Sequence, residues 1–595
     1  MNRSKLHLLR NMATAALLCA GLASCSQDDL PGQNDPLPEG QYPITFTAVQ
    51  SKATPEGAVQ TRVSDNGNVS SWTAGDRIKV TVDGNGYTTP QEVTCTLDEY
   101  GKVTDYSRQL YWQTADATAQ FTGVYPEQTE NISLNQQHNA LAYVMRATAT
   151  GSYNTPAKLT FTHRLAKLCV TLKDESGQTL TGSNYKLSVL NYASCDNTST
   201  GAQGKGNLMF IPMRYNAKSQ CYEANIVPGT FNAGTVFYRI QKIESGKVTK
   251  EATAKLTTAS TFNAGYVYSA TVTAKTSDKW TSVITDRKEL GNLSIENDII
   301  VDLGQMFSEN DPAKIKVTSG KAVTVTIRNT NIGYMTWIDE KRWPSGPIMS
   351  IGANATVTLK VEGKNSFGIK DGSGIEMQNG SSLTIIGDGR ENSSLTILTK
   401  RPTSDQSAYT CIGSAYNREG TLELNGITIK DVKLDLTQGG NYGSFLSSPA
   451  IGLTYTREGN TTQSCKSIKI ENSEVKITNN GDGACIGTPG LNSNLTRSNV
   501  GYKIGEIIIA NSTIDATSHG YGACIGFGVK SDDYIIGTIG KISISTTNLK
   551  FKKSKTDSGA FCVGRGQMNT QVNPPTITND IVVDGESCGK EGYNP

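Results

Sequence analysis

From Tyr42 to Lys275 apolar and polar residues alternate in short runs, such as Pro43-Ile44-Thr45-Phe46-Thr47-Ala48-Val49 and Arg77-Ile78-Lys79-Val80-Thr81-Val82. Asp-Gly, Asn-Gly and Pro turns separate the runs. A period of two turns one face of each strand inward, and short strands without helical crossovers predict antiparallel sandwiches rather than a parallel α/β sheet. After about residue 290 the pattern becomes a repeat. Cys411-Ile412-Gly413, Ala450-Ile451-Gly452, Cys485-Ile486-Gly487, Cys524-Ile525-Gly526 and Cys562-Val563-Gly564 recur at intervals of 39, 35, 39 and 38 residues between first positions.

A second motif runs in phase, apolar-x-apolar-x-x-small-x-apolar. It is carried by Ile468, Ile470, Ser473 and Val475, by Ile507, Ile509, Ser512 and Ile514, and by Ile542, Ile544, Thr547 and Leu549. Ile427, Ile429, Val432 and Leu434 form an earlier copy with Val at the small position. Two short strands meeting at a bend, followed by a Gly-rich third strand, describe one coil of a right-handed parallel β-helix. Ala322 to Arg328, Ala355 to Glu362, Ser382 to Ile386 and Ser394 to Leu398 are less regular coils. The expected fold class is therefore all-β, two antiparallel β-sandwich domains followed by a right-handed parallel β-helix. Cys411, Cys485, Cys524 and Cys562 would form an interior ladder of small hydrophobes, and the following glycines would allow a tight corner.

Composition agrees with the pattern. Gly is abundant, at 59 of 595 residues, and long helix-forming runs are missing. Lys+Arg 56 nearly balances Asp+Glu 54, with no basic stripe, so nucleic acid is excluded as the natural partner. The twelve cysteines show no CxxC spacing, so neither a zinc site nor a redox motif is visible and no cofactor is implied. Cys195 and Cys221 could pair.

The first residues change the expected location. Arg3, Lys5 and Arg10 precede an apolar stretch, Met12 to Leu22, that closes on Leu22-Ala23-Ser24-Cys25. At about a dozen residues it is too short to span a bilayer, so residues 1–24 are expected to be a cleaved lipoprotein signal and Cys25 the lipidated residue. Ser26-Gln27-Asp28-Asp29 resembles the polar-acidic tag that sends lipoproteins of Bacteroides-like bacteria to the outer leaflet. Residues 25–40 are polar and Pro-rich, a flexible tether.

Four stretches carry a further resemblance. They are Thr61-Arg62 with Ser71-Trp72-Thr73-Ala74-Gly75-Asp76-Arg77-Ile78; Leu159-Thr160-Phe161-Thr162-His163-Arg164-Leu165-Ala166-Lys167-Leu168; Val227-Pro228-Gly229-Thr230-Phe231; and Phe262-Asn263-Ala264-Gly265-Tyr266-Val267-Tyr268. In order and spacing they resemble the fimbrillin-like proteins, which include the major and accessory subunits of type V pili of Bacteroides and Porphyromonas. The resemblance covers roughly residues 41–275. It implies a first sandwich at 41–155 and a second at 156–275 whose core the Phe161 strand opens, with Trp72 and Phe161 as core residues. A linker at 276–290, β-helix repeats at 291–580 and a tail at 581–595 complete the expected organisation. In pilins of this family an arginine-directed protease removes an N-terminal strand and the open groove takes a strand from the next subunit. Arg62 is the matching position here; the alternative is an exposed loop arginine that is never cut. Ile577 to Val583 is a candidate donor strand.

Candidate chemistry is sparse. Lyases and hydrolases built on β-helices need grouped carboxylates, or a base beside a charge-neutralising group. Asp371, Asp388 and Glu391 lie close in sequence but read first as turns, Asp532-Asp533 falls in a variable loop, and His163 reads as a partly buried histidine beside Phe161. Tyr334, Trp337 and Trp343, within Tyr334-Met335-Thr336-Trp337-Ile338-Asp339-Glu340-Lys341-Arg342-Trp343, could form an aromatic platform for a glycan or cap an open end of the β-helix. The leading expectation is an outer-membrane surface lipoprotein, an adhesin or glycan-binding, pilus-associated component without catalysis. Its partners would be membrane lipid through Cys25, a host or microbial glycan or protein ligand, and other pilus subunits. A carbohydrate-active β-helix enzyme on a fimbrillin-like stalk and a polymerising pilus subunit remain the alternatives.

Overall fold

The computed structural model describes residues 42–50, 54–55, 72–305, 311–333, 344–370, 372–388, 393–399, 409–416, 420–439, 448–456, 461–490, 500–529, 535–554, 560–567 and 575–594. Three apolar cores organise them. The first lies inside a seven-stranded sheet in the order Phe46–Gln50, Ala157–His163, Met145–Ser152, Thr118–Tyr125, Arg77–Asp83, Gln91–Leu97, Val103–Tyr106. The sheet curls until its two ends meet, with the Phe46 and Tyr106 rings 6.1 Å apart. Trp72 is buried in this core and packs edge-on against Phe161 at 5.4 Å.

Ala157, Leu159 and Phe161 all point into the first core, which corrects one expectation: the Phe161 strand closes the first sandwich instead of opening the second. The reason is its pairing. Met145–Ser152 lies antiparallel on one edge of that strand and Phe46–Gln50 parallel on the other. His163, at its end, is half-buried, and burial and then Lys167 push its pKa below the ordinary histidine value.

The second core starts at Leu165 on this side, and also takes Ile132, Leu134 and Val144 from an earlier excursion of the chain. One of its sheets runs Arg214–Asn216, Cys221–Ile226, Ala166–Asp174, Tyr266–Ala274, Thr54–Pro55. The facing sheet places Tyr185–Asn197 between Ala202–Pro212 and Val236–Glu244, with Lys247–Lys255 outside the latter. Cys195 points into this core while Cys221 faces away from it, so the two are free and not a pair, contrary to expectation. Alternation along Tyr185–Asn197 and Cys221–Ile226 settles their directions.

The third core is the interior of a coil built from three parallel sheets. Sheet I takes Ile299–Val301, Ala322–Arg328, Thr356–Glu362, Ser382–Gly387, Gly426–Lys430, Thr461–Glu471, Val500–Ala510 and Ile535–Ser545. Sheet II stacks the short Ile-Gly strands, and sheet III runs from Asn331–Ile332 to Asn548–Lys553. Parallel pairing of the same element in successive coils is the arrangement of a parallel β-helix.

Two ladders explain the sequence repeat. Gly413, Gly452, Gly487, Gly526 and Gly564 stack in register. A Cβ on Gly487 would lie 1.8 Å from the Gly526 carbonyl oxygen and one on Gly452 1.9 Å from that of Gly487, so only glycine lets neighbouring coils approach. At the bend between sheets I and III, Asp431, Asn472, Asn511 and Thr546 take the left-handed conformation. After the last three the next residue supplies a hydroxyl: Ser473 Oγ donates to the Glu471 carbonyl at 2.7 Å, and the Ser473 amide donates to Ser512 Oγ at 3.1 Å. Cys411, Cys485 and Cys524 are buried inside the coil, and Cys562 is half-buried at its end.

Both ends of the coil are closed. Helix Arg287–Asn292, with Asp286 as N-cap accepting from the Lys288 and Glu289 amides, puts Leu290 into the first coil. At the other end Val582–Val583 pairs with the last sheet I strand and with Glu586–Ser587, while Ile577 and Ile581 enter the core. Ile577 to Val583 is thus built into the coil and is not a free donor strand. Burial of its apolar side chains, each stabilising by about 1.5–3 kcal/mol, opposes release.

Candidate binding cleft where the sandwich meets the coil

Residues 276–290, read as a linker, contain the strand Thr281–Ile284. Its one edge pairs antiparallel with Lys247–Lys255 of the second sandwich, and its other edge pairs parallel with Ile299–Val301 of the coil. One hydrogen-bonded sheet therefore passes from sandwich to coil without a break. That continuity brings side chains from four strands onto one outer face.

Arg328 lies at the centre. Its Nη1 and Nη2 donate to Glu251 Oε2 and Oε1 at 2.8 Å each, and its Nε donates to Glu362 Oε2 at 2.8 Å. Arg239 reaches both glutamates, at 3.2 Å to Glu251 and 2.9 Å to Glu362. Gln241 donates to Glu251 and Lys360 to Glu362. Asp302 stands 3.8 Å from Arg328. Three cations thus meet three carboxylates, and the cluster is neutral.

Burial works against ionisation of Glu362 and Glu251, but the adjoining guanidinium groups outweigh it and hold both carboxyls below the ordinary glutamate range. Burial likewise opposes the charge on Arg328, which its carboxylate partners stabilise. Asp302 is shifted the other way, upward, by burial first. Carboxylates held ionised by bidentate arginine are suited to clamping and to orienting a polar ligand, not to donating a proton.

Above this floor opens a cavity of about 340 Å³, bordered by Lys205, Asn207, Phe210, Asn329 and Asp388. Arg239 stacks over the Phe210 ring, Cζ to centroid 4.3 Å. Asp388 accepts a hydrogen bond from Ser393. A second cavity of about 540 Å³ lies by Lys247, Thr285, Glu289 and Asp298.

Of the residues singled out from sequence, Cys25, Arg62, Tyr334, Trp337 and Trp343 lie outside the described residues, as do Asp371, Glu391, Asp532 and Asp533. Only Asp388 reaches the cleft. Arg239, Glu251, Arg328 and Glu362 were not anticipated. A signal existed: Arg328 and Glu362 close equivalent strands in register, opposite charges at one position of successive coils. The cluster of metal-ligating side chains found among the described residues, Cys169, Cys221 and Glu223, was also missed.

Sandwiches joined edge to edge with a parallel coil define a multidomain β-protein. Residues 61–297, less than half of the chain, match the model of the fimbrillin-like family. A putative cell adhesion protein from Bacteroides ovatus is 16% identical over 40% of this chain and 95% of that one, with a TM-score of 0.30. One from Bacteroides uniformis is 19% identical over 40% and 97%, TM-score 0.29. A fimbrial assembly protein from Parabacteroides distasonis is 14% identical over 40% and 95%, TM-score 0.22. Scores this low carry no argument about function. Curated proteins give no match.

Proposed function

We propose that this chain is a surface lipoprotein anchored in the outer membrane through Cys25, whose fimbrillin-like sandwiches hold the coil outward as a non-catalytic adhesive tip. The observation that carries the reading is the unbroken sheet through Thr281–Ile284, which supports rigid presentation of the coil. Tyr334, Trp337 and Trp343 are the proposed glycan contacts. Their segment leaves from Gly333 and returns at Pro344, and it directly follows the coil that carries Arg328 and Asn329 at the cleft. The ligand is a host or microbial glycan or protein.

The test has two parts. Mass spectrometry of protein taken from its own membrane should find an acylated N-terminal peptide beginning at Cys25. On a glycan array the full chain should bind without releasing shorter saccharides, and Trp337→Ala with Trp343→Ala should abolish binding. Saccharide release that persists with purification would sink the adhesin reading in favour of the displayed enzyme.

One observation favours a second role, strand-exchange polymerisation. Phe46–Gln50 and Thr54–Pro55 are edge strands, one on each sandwich, and both precede Arg62. Cleavage after Arg62 would free Ile44, Phe46 and Ala48 from the first core and leave an open edge on Ala157–His163. Ala48 is seated closely: its amide donates to the Gly101 carbonyl at 3.2 Å, and a Cβ on Gly101 would lie 2.0 Å from its oxygen. A mature terminus at Val63 together with ladders of oligomer would establish this role; an intact Cys25 terminus on every copy would remove it.

A further inference from the structure

Of the ten free cysteines among the described residues, Cys95, Cys195, Cys411, Cys465, Cys485 and Cys524 lie in apolar cores, where packing accounts for them. Cys169 and Cys221 do not. They sit on the outer face of the second sandwich, on the adjacent strands Ala166–Asp174 and Cys221–Ile226, whose neighbouring residues Leu168, Val170, Tyr222 and Ala224 fill the core. Cys169 stands in register with Glu223. Glu223 Oε1 lies 3.8 Å from Cys169 Sγ and 3.9 Å from Cys221 Sγ, and all three ligand atoms fall within 4.8 Å of one another. The face is covered: Cys221 and Glu223 are buried, and Asn225 beside them is tied to Gln137 and Ala142.

We propose that Cys169, Cys221 and Glu223 bind a thiophilic divalent cation of the zinc class. The distances fit. Zn–S of about 2.3 Å and Zn–O of about 2.0 Å at a tetrahedral angle separate sulfur from oxygen by about 3.5 Å, within a few tenths of an ångström of both sulfur–oxygen distances here. Ser219 Oγ, 3.1 Å from Cys221 Sγ and 3.5 Å from Glu223 Oε1, stands where a fourth ligand or its bridging water belongs. Asn216 Nδ2 donates to Glu223 Oε1 at 3.1 Å and fixes the carboxylate.

Charge balances as well. Lys167 Nζ lies 3.6 Å from Glu223 Oε1. Two thiolates and a carboxylate against a divalent ion and Lys167 are neutral, as are two thiols with the Lys167–Glu223 pair. Binding therefore exchanges one divalent ion for two thiol protons, which pass to solvent, and no redox step is involved. Sequence spacing could not show this site, because its ligands meet only through strand register.

The experiment titrates Co²⁺ and then Zn²⁺ into the full chain, reduced and free of chelator. One equivalent of Co²⁺ should give a near-ultraviolet thiolate charge-transfer band that Zn²⁺ bleaches. Cys169→Ser and Cys221→Ser should each lose the band while keeping the far-ultraviolet dichroism of the parent. Glu223→Gln should weaken binding by roughly tenfold or more, and Cys524→Ser should leave the band in place. No band in the unmodified chain, a band surviving in Cys169→Ser, or a Cys169–Cys221 disulfide in protein alkylated directly from cells would overturn the proposal.

Discussion

The sandwiches and the coil are both all-β, yet they spend sequence differently. In the sandwiches every strand has a unique neighbour, so each core position is solved once; Trp72 against Phe161 has no counterpart elsewhere. In the coil one solution is reused along the axis, and a residue must fit copies of itself above and below. Repetition makes the coil tolerant of different apolar side chains inside, and intolerant of any added atom on a ladder.

The largest effect expected from this contrast is at the glycines. Gly487→Ala should destabilise the coil by more than about 4 kcal/mol, read as a lowered denaturation midpoint, since its Cβ meets backbone on the next coil. Gly246→Ala, at a sandwich hairpin where the Cβ meets nothing within 4 Å, should cost only the left-handed penalty of about 1–2 kcal/mol. Equal costs would refute the distinction.

Next comes the joint, where the two regimes meet. Arg328→Ala takes the central guanidinium from two buried carboxylates, leaving Arg239 to hold both, and should cost about 3–5 kcal/mol, splitting a shared unfolding transition into separate ones for sandwich and coil. Its pH signature is specific. Glu362 titrates lower folded than unfolded, so its contribution is full above the unfolded value of about 4.3 and is lost as pH falls from there through the folded value. The stability gap between the parent and Glu362→Gln should stay flat from neutrality to about pH 5 and then narrow. Asp302 runs with the opposite sign, its penalty relieved on acidification.

The smallest effect belongs to the hydroxyl ladder. Ser473→Ala removes the bridge between coils that the Val432 amide donates to Ser473 Oγ at 3.3 Å and should cost about 1 kcal/mol, measured by chemical denaturation.

The same contrast explains what could be read from the chain. The coil was legible because a stacked fold writes its period into the sequence: Ile451, Ile486 and Ile525 pair directly. The sandwich strands were legible as strands, but alternation does not name a partner. Ala157–His163 was therefore assigned to the wrong core, and the parallel seat of Phe46–Gln50 could not be foreseen. The cleft was invisible for a similar reason. Arg239 and Glu251 face Arg328 and Glu362 only because Thr281–Ile284 joins two sheets that differ in strand direction. The end of the chain misled because Ile577 and Ile581 look like a free strand until the last coil needs them as a lid.

The shared strand also sets how force travels. A ligand caught along the coil and pulled by flow turns the coil into a lever whose fulcrum is Thr281–Ile284. On the sandwich side that strand is gripped through two residue pairs, Lys250 with Ser282 and Glu251 with Thr281. Glu251 belongs to both the backbone grip and the ionic lattice, so torque that strains one strains the other. Detachment under tension should therefore begin with this pair of contacts giving way together, leaving both the sandwiches and the coil folded on either side of the break.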